Sequence, residues 1–263
     1  MKLPIHQIDA FTHERFRGNP AAVVPLPRWL DDATLQAIAA ENNLAETAFF
    51  VEEGDAYPLR WFTPVHEVDL CGHATLAAAH VILRLLHPER DEVRFSSQSG
   101  PLAVRKRGEW LELDFPSRPP QPIDAPPALA AALGGAPVEL AASRDYFVVY
   151  ASEEELVALR PDFARLAELD REVIVTAPGR AVDFVSRFFA PRAGIPEDPV
   201  TGSAHCTLVP YWSRRLGKRS LEARQLSART GELRCEDRGE RVAIAGRAVA
   251  YLEGAIYVDD ERV

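Results

Sequence analysis

The chain has 263 residues, 47% hydrophobic and 26% charged, with a formal net charge of −9, enough apolar material for one large or two modest domains. The acidic balance and the shortness of its basic clusters argue against a nucleic-acid surface, which needs grouped cations. Its 3 cysteines lie too far apart for a disulfide framework or a CxxC metal pair, no stretch reaches the roughly 18 apolar residues of a membrane span, and Met1-Lys2-Leu3-Pro4 enters a strand without a signal-like apolar run, so a cytoplasmic protein with no membrane partner is expected.

In chain order, Ile5 to Phe11 reads as a strand, followed by the turn residues Gly18-Asn19-Pro20 and the apolar strand Ala21 to Val24. A helix opens at Asp31 or Asp32, whose side chain can take up unpaired N–H groups, and ends near Asn42-Asn43. Strands follow at Ala48 to Val51 and Tyr57 to Phe62, leading to the turn Cys71-Gly72-His73-Ala74-Thr75. From Ala74 to Leu86 nearly every residue is apolar, so this helix is expected to be buried all round. Short strands at Val93 to Phe95, Leu102 to Arg105 and Trp110 to Phe115 suggest a sheet curled around it.

The proline-rich run from Pro116 to Pro127 reads as a linker, which puts the expected domains at 1–118 and 119–263, with the last few residues free to return to the first. Beyond it, Asp145 to Tyr150, Val173 to Ala177 and Asp183 to Phe189 are strand-like, while Glu153 to Leu159 and Phe163 to Leu169 look helical. A second glycine turn, Thr201-Gly202-Ser203-Ala204-His205, opens a helix to Leu216 that Pro210 must bend. The run from Gln225 to Val258 reads as four or five strands separated by glycines.

The two glycine turns are one element used twice. Arg60-Trp61-Phe62-Thr63-Pro64 precedes the first and Arg187-Phe188-Phe189-Ala190-Pro191 the second, and Gly100 and Gly108 recur as Gly231 and Gly239. The expected fold class is therefore α+β: two similar domains related by internal duplication, each a β-barrel-like sheet wrapped around a central buried helix.

Two helix openings at Gly72 and Gly202 present unpaired N–H groups and positive dipole ends, an arrangement suited to a carboxylate that glycine lets approach the backbone. Plain turns into core helices would read the same. Glu46, just before an aromatic strand, is oddly placed unless it faces a cavity, where burial would suit it to acid–base work; a solvent-facing strand start is the bland alternative. His73 at the first helical position should be a neutral donor or a packing residue. Asp198 caps a turn or carries a proton, and Ser203, matching His73, donates to a substrate or to its own helix. His66, His73 and His80 are seven apart, which does not suit metal ligation on one helix face, and no cofactor motif occurs, so neither metal nor cofactor is expected.

The strings Asp9-Ala10-Phe11-Thr12 with Gly18-Asn19-Pro20-Ala21-Ala22-Val23, Leu44-Ala45-Glu46-Thr47-Ala48-Phe49, Arg60 to Pro64, Asp69 to Thr75 and Glu197 to His205 resemble the PhzF-like (phenazine biosynthesis) isomerase family, in order across almost the whole chain. The resemblance implies a diaminopimelate-epimerase-like fold with the active site between two domains. It implies Glu46 as the proton-transferring carboxylate of a cofactor-independent isomerase, with His73, Asp198 and Ser203 lining the site. Asn19, Gly72, Ala74, Gly202 and Ala204 would then hold a small carboxylate-bearing substrate, and a homodimer is the family habit. The related epimerases oppose two thiols, one at each glycine turn. Here Cys71 precedes Gly72 but Thr201 precedes Gly202, and a hydroxyl cannot replace a thiolate as base near neutral pH. Cys71 is then expected to be a packing residue. An amino-acid epimerase or racemase and a non-catalytic binding protein are the alternatives to the isomerase.

Overall fold

The computed structural model describes residues 1–124 and 126–259. The part of the sequence expectation that concerns residues 260–263 lies outside the described residues. The chain forms two compact units, one of Met1–Asp114 joined by the residues from Gly246 onward, the other of Phe115–Ala245.

The first unit runs β1 (Lys2–Ala10), β2 (Asn19–Leu26), α1 (Asp32–Asn42), β3 (Glu46–Val51), β4 (Ala56–Phe62), β5 (Glu67–Val68), α2 (Gly72–His80), then a π-helical turn at Val81–Leu86, β6 (Glu92–Ser97), β7 (Gly100–Arg107) and β8 (Trp110–Pro116). The second runs β9 (Gln121–Pro122), α3 (Pro127–Leu133), β10 (Glu139–Ala142), β11 (Tyr146–Val149), α4 (Glu153–Ala158), α5 (Phe163–Ala167), β12 (Val173–Pro178), β13 (Phe184–Ala190), β14 (Ile195–Asp198), α6 (Gly202–Leu216), β15 (Ser220–Gln225), β16 (Gly231–Asp237) and β17 (Arg241–Gly246). The last strand, β18 (Ala248–Tyr257), pairs antiparallel with β1 and so belongs to the first unit. Gly254, expected to separate strands, lies inside it.

Pairing order shows the duplication directly. In the first unit β2–β3 and β4–β6 are parallel, with antiparallel β3–β4, β6–β7 and β7–β8 around them. In the second, β11–β12 and β13–β15 are parallel, with antiparallel β12–β13, β15–β16 and β16–β17 around them. Each sheet thus places its crossover helix at the same point, α2 between β5 and β6, α6 between β14 and β15.

Side chains repeat as well. Arg60 on β4 forks onto both oxygens of Glu67 on β5, at 2.7 and 2.7 Å. Arg187 on β13 forks onto both oxygens of Glu197 on β14, at 2.8 and 3.0 Å. Each guanidinium also lies over the aromatic ring two residues on, 5.0 Å from the Phe62 centroid and 4.9 Å from that of Phe189. The Ser99 hydroxyl donates to the Asp69 carbonyl and the Ser227 hydroxyl to the Pro199 carbonyl, both at 2.8 Å, tying the same loop to the same helix entry in each unit.

Helix α2 is buried from Gly72 to Ala79 and lies against β1, β2, β3 and β18. Burial all round does not extend to its end, because Leu85 and Leu86 are exposed. Both central helices lose α-helical regularity at the same place. After His80 the first turns π-helical, with His87 N–H reaching back five residues to Ile82. In the second, Pro210 has no N–H for the carbonyl of Cys206, and Arg118 N–H takes that carbonyl instead at 2.8 Å. The proline-rich run is not a bare linker, since β9 within it pairs with β10.

Candidate active site

The three residues that come together first are Glu46, Cys71 and His73. Parallel pairing sets Glu46, the first residue of β3, beside Ala21 on β2, two residues from the buried Asn19. Gly18 lets the chain turn closely from β1 into β2. It adopts φ +63°, and a Cβ there would stand 2.1 Å from the Ala10 carbonyl oxygen. The Glu46 carboxylate meets the second residue of α2: Glu46 Oε2 lies 3.1 Å from His73 Nε2, with the side chains 15% and 5% exposed. On the other side of the ring, His73 Nδ1 lies 3.5 Å from Cys71 Sγ. The Glu46–His73 approach is out of line for a hydrogen bond, and both atoms are buried without another partner.

Burial of the His73 ring works against its protonation, but the Cys71 sulfur and the Glu46 carboxylate favour the imidazolium, and its pKa is held well above the ordinary histidine value. This runs against the neutral ring expected from the helix dipole: the Cys71 sulfur and then the Glu46 carboxylate favour the charged form. Burial, reinforced by Glu46, pushes the Cys71 thiol up, while the neighbouring His73 ring works the other way. Cys71, expected to be a packing residue, is buried in the core, and its sulfur is the second neighbour of the His73 ring. Glu46, Cys71 and His73 offer ligand atoms within 4.8 Å of one another, a metal-compatible set that histidine spacing did not reveal. The imidazole stands between the other two, however, with a different nitrogen toward each, so one ion could not take all three without the ring turning.

In the second unit the matching turn is held by side chains. The Thr201 hydroxyl donates to the Asp198 carboxylate, while Gln225 from β15 accepts from Thr201 N–H at 2.8 Å and donates to the Asp198 carbonyl at 2.7 Å. Asp198 is buried; Ser203, the counterpart of His73, is partly exposed. One residue pair again repeats: Thr75 donates to the Cys71 carbonyl, and His205 Nδ1 donates to the Thr201 carbonyl at 2.9 Å. Each is the fourth residue on from its turn's first.

The two helix entries, like that of α3 at Pro126, lack a side-chain cap. Asp31, Ser152 and Asp162 cap α1, α4 and α5 with their side chains, whereas neither Cys71 nor Thr201 caps its helix. Their first-turn N–H groups at Gly72, His73 and Gly202 to Ala204 are therefore open to other acceptors, as an anion site requires. Pairing register gives Glu46 a counterpart in the second unit: Thr47 pairs with Phe62 as Val173 pairs with Phe189, so Glu172 holds the place of Glu46, and its Oε2 is likewise buried without a hydrogen-bond partner among the described residues.

A family model described as phenazine biosynthesis-like protein matches residues 8–254. A Pseudomonas aeruginosa protein named an uncharacterized isomerase is 53% identical over 98% of this chain and 100% of its own. A solved structure of a PhzF-family protein from Enterococcus faecalis is 50% identical, superposes with a TM-score of 0.95, and covers 98% of this chain and 100% of its own. A hydroxyproline epimerase structure from Agrobacterium vitis, 10% identical with a TM-score of 0.63 over 99% of this chain and 94% of its own, shares the fold.

Proposed function

The chain belongs to the phenazine biosynthesis-like (PhzF) family and is an isomerase, and on that premise we propose that Glu46 moves a proton between two carbons of a small carboxylate-bearing substrate without a cofactor. The observation that carries this reading is the buried pair Glu46 Oε2 and His73 Nε2, 3.1 Å apart and otherwise unpartnered, at the uncapped start of α2.

In the reaction, the substrate carboxylate accepts hydrogen bonds from the first-turn N–H groups of α2, where the dipole favours negative charge. The Glu46 carboxylate takes a C–H proton; the electron pair left behind spreads into the substrate's conjugated system. The resulting Glu46 carboxylic acid returns the proton to a different carbon of the same molecule. Nothing is oxidised, and the count of protons is unchanged. The His73 imidazolium balances the carboxylate's charge before the transfer and the substrate's charge after it. Asp198 and Ser203 stand at the corresponding turn of the second unit and are proposed as substrate-holding groups, together with Asn19, Gly202 and Ala204.

Epimerisation through two opposed thiols is the weaker reading. Only Cys71 could supply a thiol, its pKa is raised by burial, and Thr201 stands at the counterpart position with its hydroxyl already given to Asp198. A purely binding role is separated from catalysis by one screen. Small cyclic and amino carboxylates are ranked by thermal shift, and those that stabilise the protein are incubated with it and followed by NMR for double-bond migration. The isomerase reading expects at least one stabilising carboxylate to be converted and Glu46→Gln to keep the stabilisation while losing conversion. Stabilisation by many carboxylates with conversion of none would favour the binding role.

A further inference from the structure

Asp145 and Glu172 stand side by side in the second unit, one residue before Tyr146 and Val173, the parallel pair that opens the β11–β12 ladder. Alternation along the strands decides which way they point. Tyr146, Val148, Val173 and Val175 share a core cluster with Leu156 of α4 and Leu166 of α5. On the opposite face, Phe147 meets Tyr211 of α6 with ring centroids 4.8 Å apart, and Thr176 accepts from Trp212 Nε1 at 2.9 Å. Asp145 shares the parity of Phe147 and Glu172 that of Thr176, so both side chains lie on the α6 face.

Neither carboxyl group is satisfied. Asp145 is 9% exposed, and nothing among the described residues donates to its carboxylate; Glu172 Oε2 is buried without a partner. Arg118 and Arg144 act both on Asp145 and on Cys206, the fifth residue of α6, which puts the pair beside the first half of that helix. The electrostatics of the first unit are reversed here. Glu46 faces Ala21 across the ladder and meets the His73 ring at the helix entry. Glu172 faces Asp145 instead, and Ser203 stands where His73 does. Two carboxylates on neighbouring strands resist ionising together. Burial and then Asp145 raise the Glu172 pKa against Arg192 and the Ala193 N–H, and burial pushes Asp145 up to about 6 against Arg144, Arg118 and Arg171.

We propose that the start of α6 is a carboxylate-binding site in which Glu172, as an uncharged carboxylic acid, donates a hydrogen bond to the ligand's carboxylate. The uncapped N–H groups of Gly202 to Ala204 supply the other donors. A neutral acid is what lets an anion come so close to two carboxyl groups, and a hydrogen bond to a charged acceptor is the stronger kind. The duplicated glutamates then have opposite tasks. Glu46, beside a cation, is suited to accept a proton; Glu172, beside a second carboxyl group, lends its proton to a hydrogen bond and keeps it. Asp145 is a positioning residue that acts through the charge it sets on Glu172.

Acetate is the probe, titrated into the full chain and followed by NMR on the amides of Gly202, Ser203 and Ala204, from about pH 5.5 to about pH 8.5, where a simple carboxylate stays ionised. The wild type should bind acetate at the acid end and lose about tenfold or more in affinity as Glu172 ionises, the worth of one hydrogen bond to a charged group. Glu172→Gln, an isostere whose amide donates at every pH, should bind without that loss. Glu172→Ala should bind about tenfold more weakly than the wild type at the acid end. Asp145→Asn removes the like charge and should move the loss of binding to lower pH. Acetate binding needs no turnover, so these outcomes are independent of whether Glu46 carries the proton. No acetate shift at the three amides, wild-type affinity that does not change with pH, Glu172→Ala binding as well as the wild type, a loss with pH that persists in Glu172→Gln, or one that Asp145→Asn does not move would overturn the proposal.

Discussion

Glu46 Oε2 and His73 Nε2 face each other at 3.1 Å inside the first unit, and the carboxylate favours the charged form of the ring. The raised pKa of His73 is the measurable consequence. In an NMR titration of labelled histidine, His73 should remain imidazolium above the ordinary value of 6.5, and Glu46→Gln should lower its midpoint by at least about one unit, the shift a single carboxylate at contact distance produces. Because the folded pKa is raised, the pair stabilises the fold below about 6.5 and that contribution disappears as pH rises through the His73 midpoint. A midpoint unmoved by Glu46→Gln would show that the two do not interact.

His205 behaves in the opposite sense. Burial pushes its pKa down to about 4, against a hydrogen bond to the Thr201 carbonyl that favours the charged ring. Between about 4 and 6.5 the unfolded chain binds a proton that the folded chain does not, so stability is full above 6.5 and falls as pH drops toward 4. His205→Gln keeps a donor for the Thr201 carbonyl and cannot titrate. Denaturant melts at neutral pH and near pH 4.5 should show the wild type losing on the order of 2–3 kcal/mol more than the variant over that interval.

Gly246 answers a packing constraint. A Cβ there would stand 2.3 Å from Phe11 Cδ1 and 3.0 Å from Leu76 Cδ2, and Phe11, fully buried, already holds φ 62°. Gly246→Ala should therefore cost about 1–3 kcal/mol by overpacking, read from denaturant midpoints. Gly254→Ala, with open space around it, serves as the neutral control.

Arg187 ties β14 to the end of α4: it forks onto Glu197 and donates to the carbonyls of Leu156 and Leu159, each at 3.2 Å. Lysine keeps the charge but cannot reproduce the fork. Arg187→Lys should destabilise the protein by about 1–2 kcal/mol and Arg187→Ala by about 3 kcal/mol, since the Glu197 carboxylate, 20% exposed, is left without its partner. Equal losses from the two variants would mean that charge alone, and not geometry, decides.

The repeat was legible because glycine turns, aromatic strand ends and prolines are local signals, and the two halves keep them in order. What the sequence left hidden depends on strands far apart in the chain. Gln225 sits at the end of a strand with no motif around it, yet it reaches back 24 residues to hold Thr201. Nothing in the sequence places the Cys71 sulfur beside His73 Nδ1. The charge on His73 is hidden for a similar reason, since one of the two neighbours that raise its pKa, Glu46, comes from β3. Extending the repeat by a few residues past each Arg-aromatic pair would have found Glu67 and Glu197, a missed signal that was present.

The central claim is that one glutamate, with no second base, carries the proton. The direct measurement is deuterium content in D₂O, by mass spectrometry and NMR, of a carboxylate that the wild-type enzyme isomerises. A single carboxylate predicts that deuterium enters only at the carbon that gains the proton, that some product keeps its original hydrogen, and that Glu46→Gln abolishes both outcomes while Cys71→Ser leaves them. Undiminished deuterium uptake in Glu46→Gln, or its loss in Cys71→Ser alone, would contradict the account.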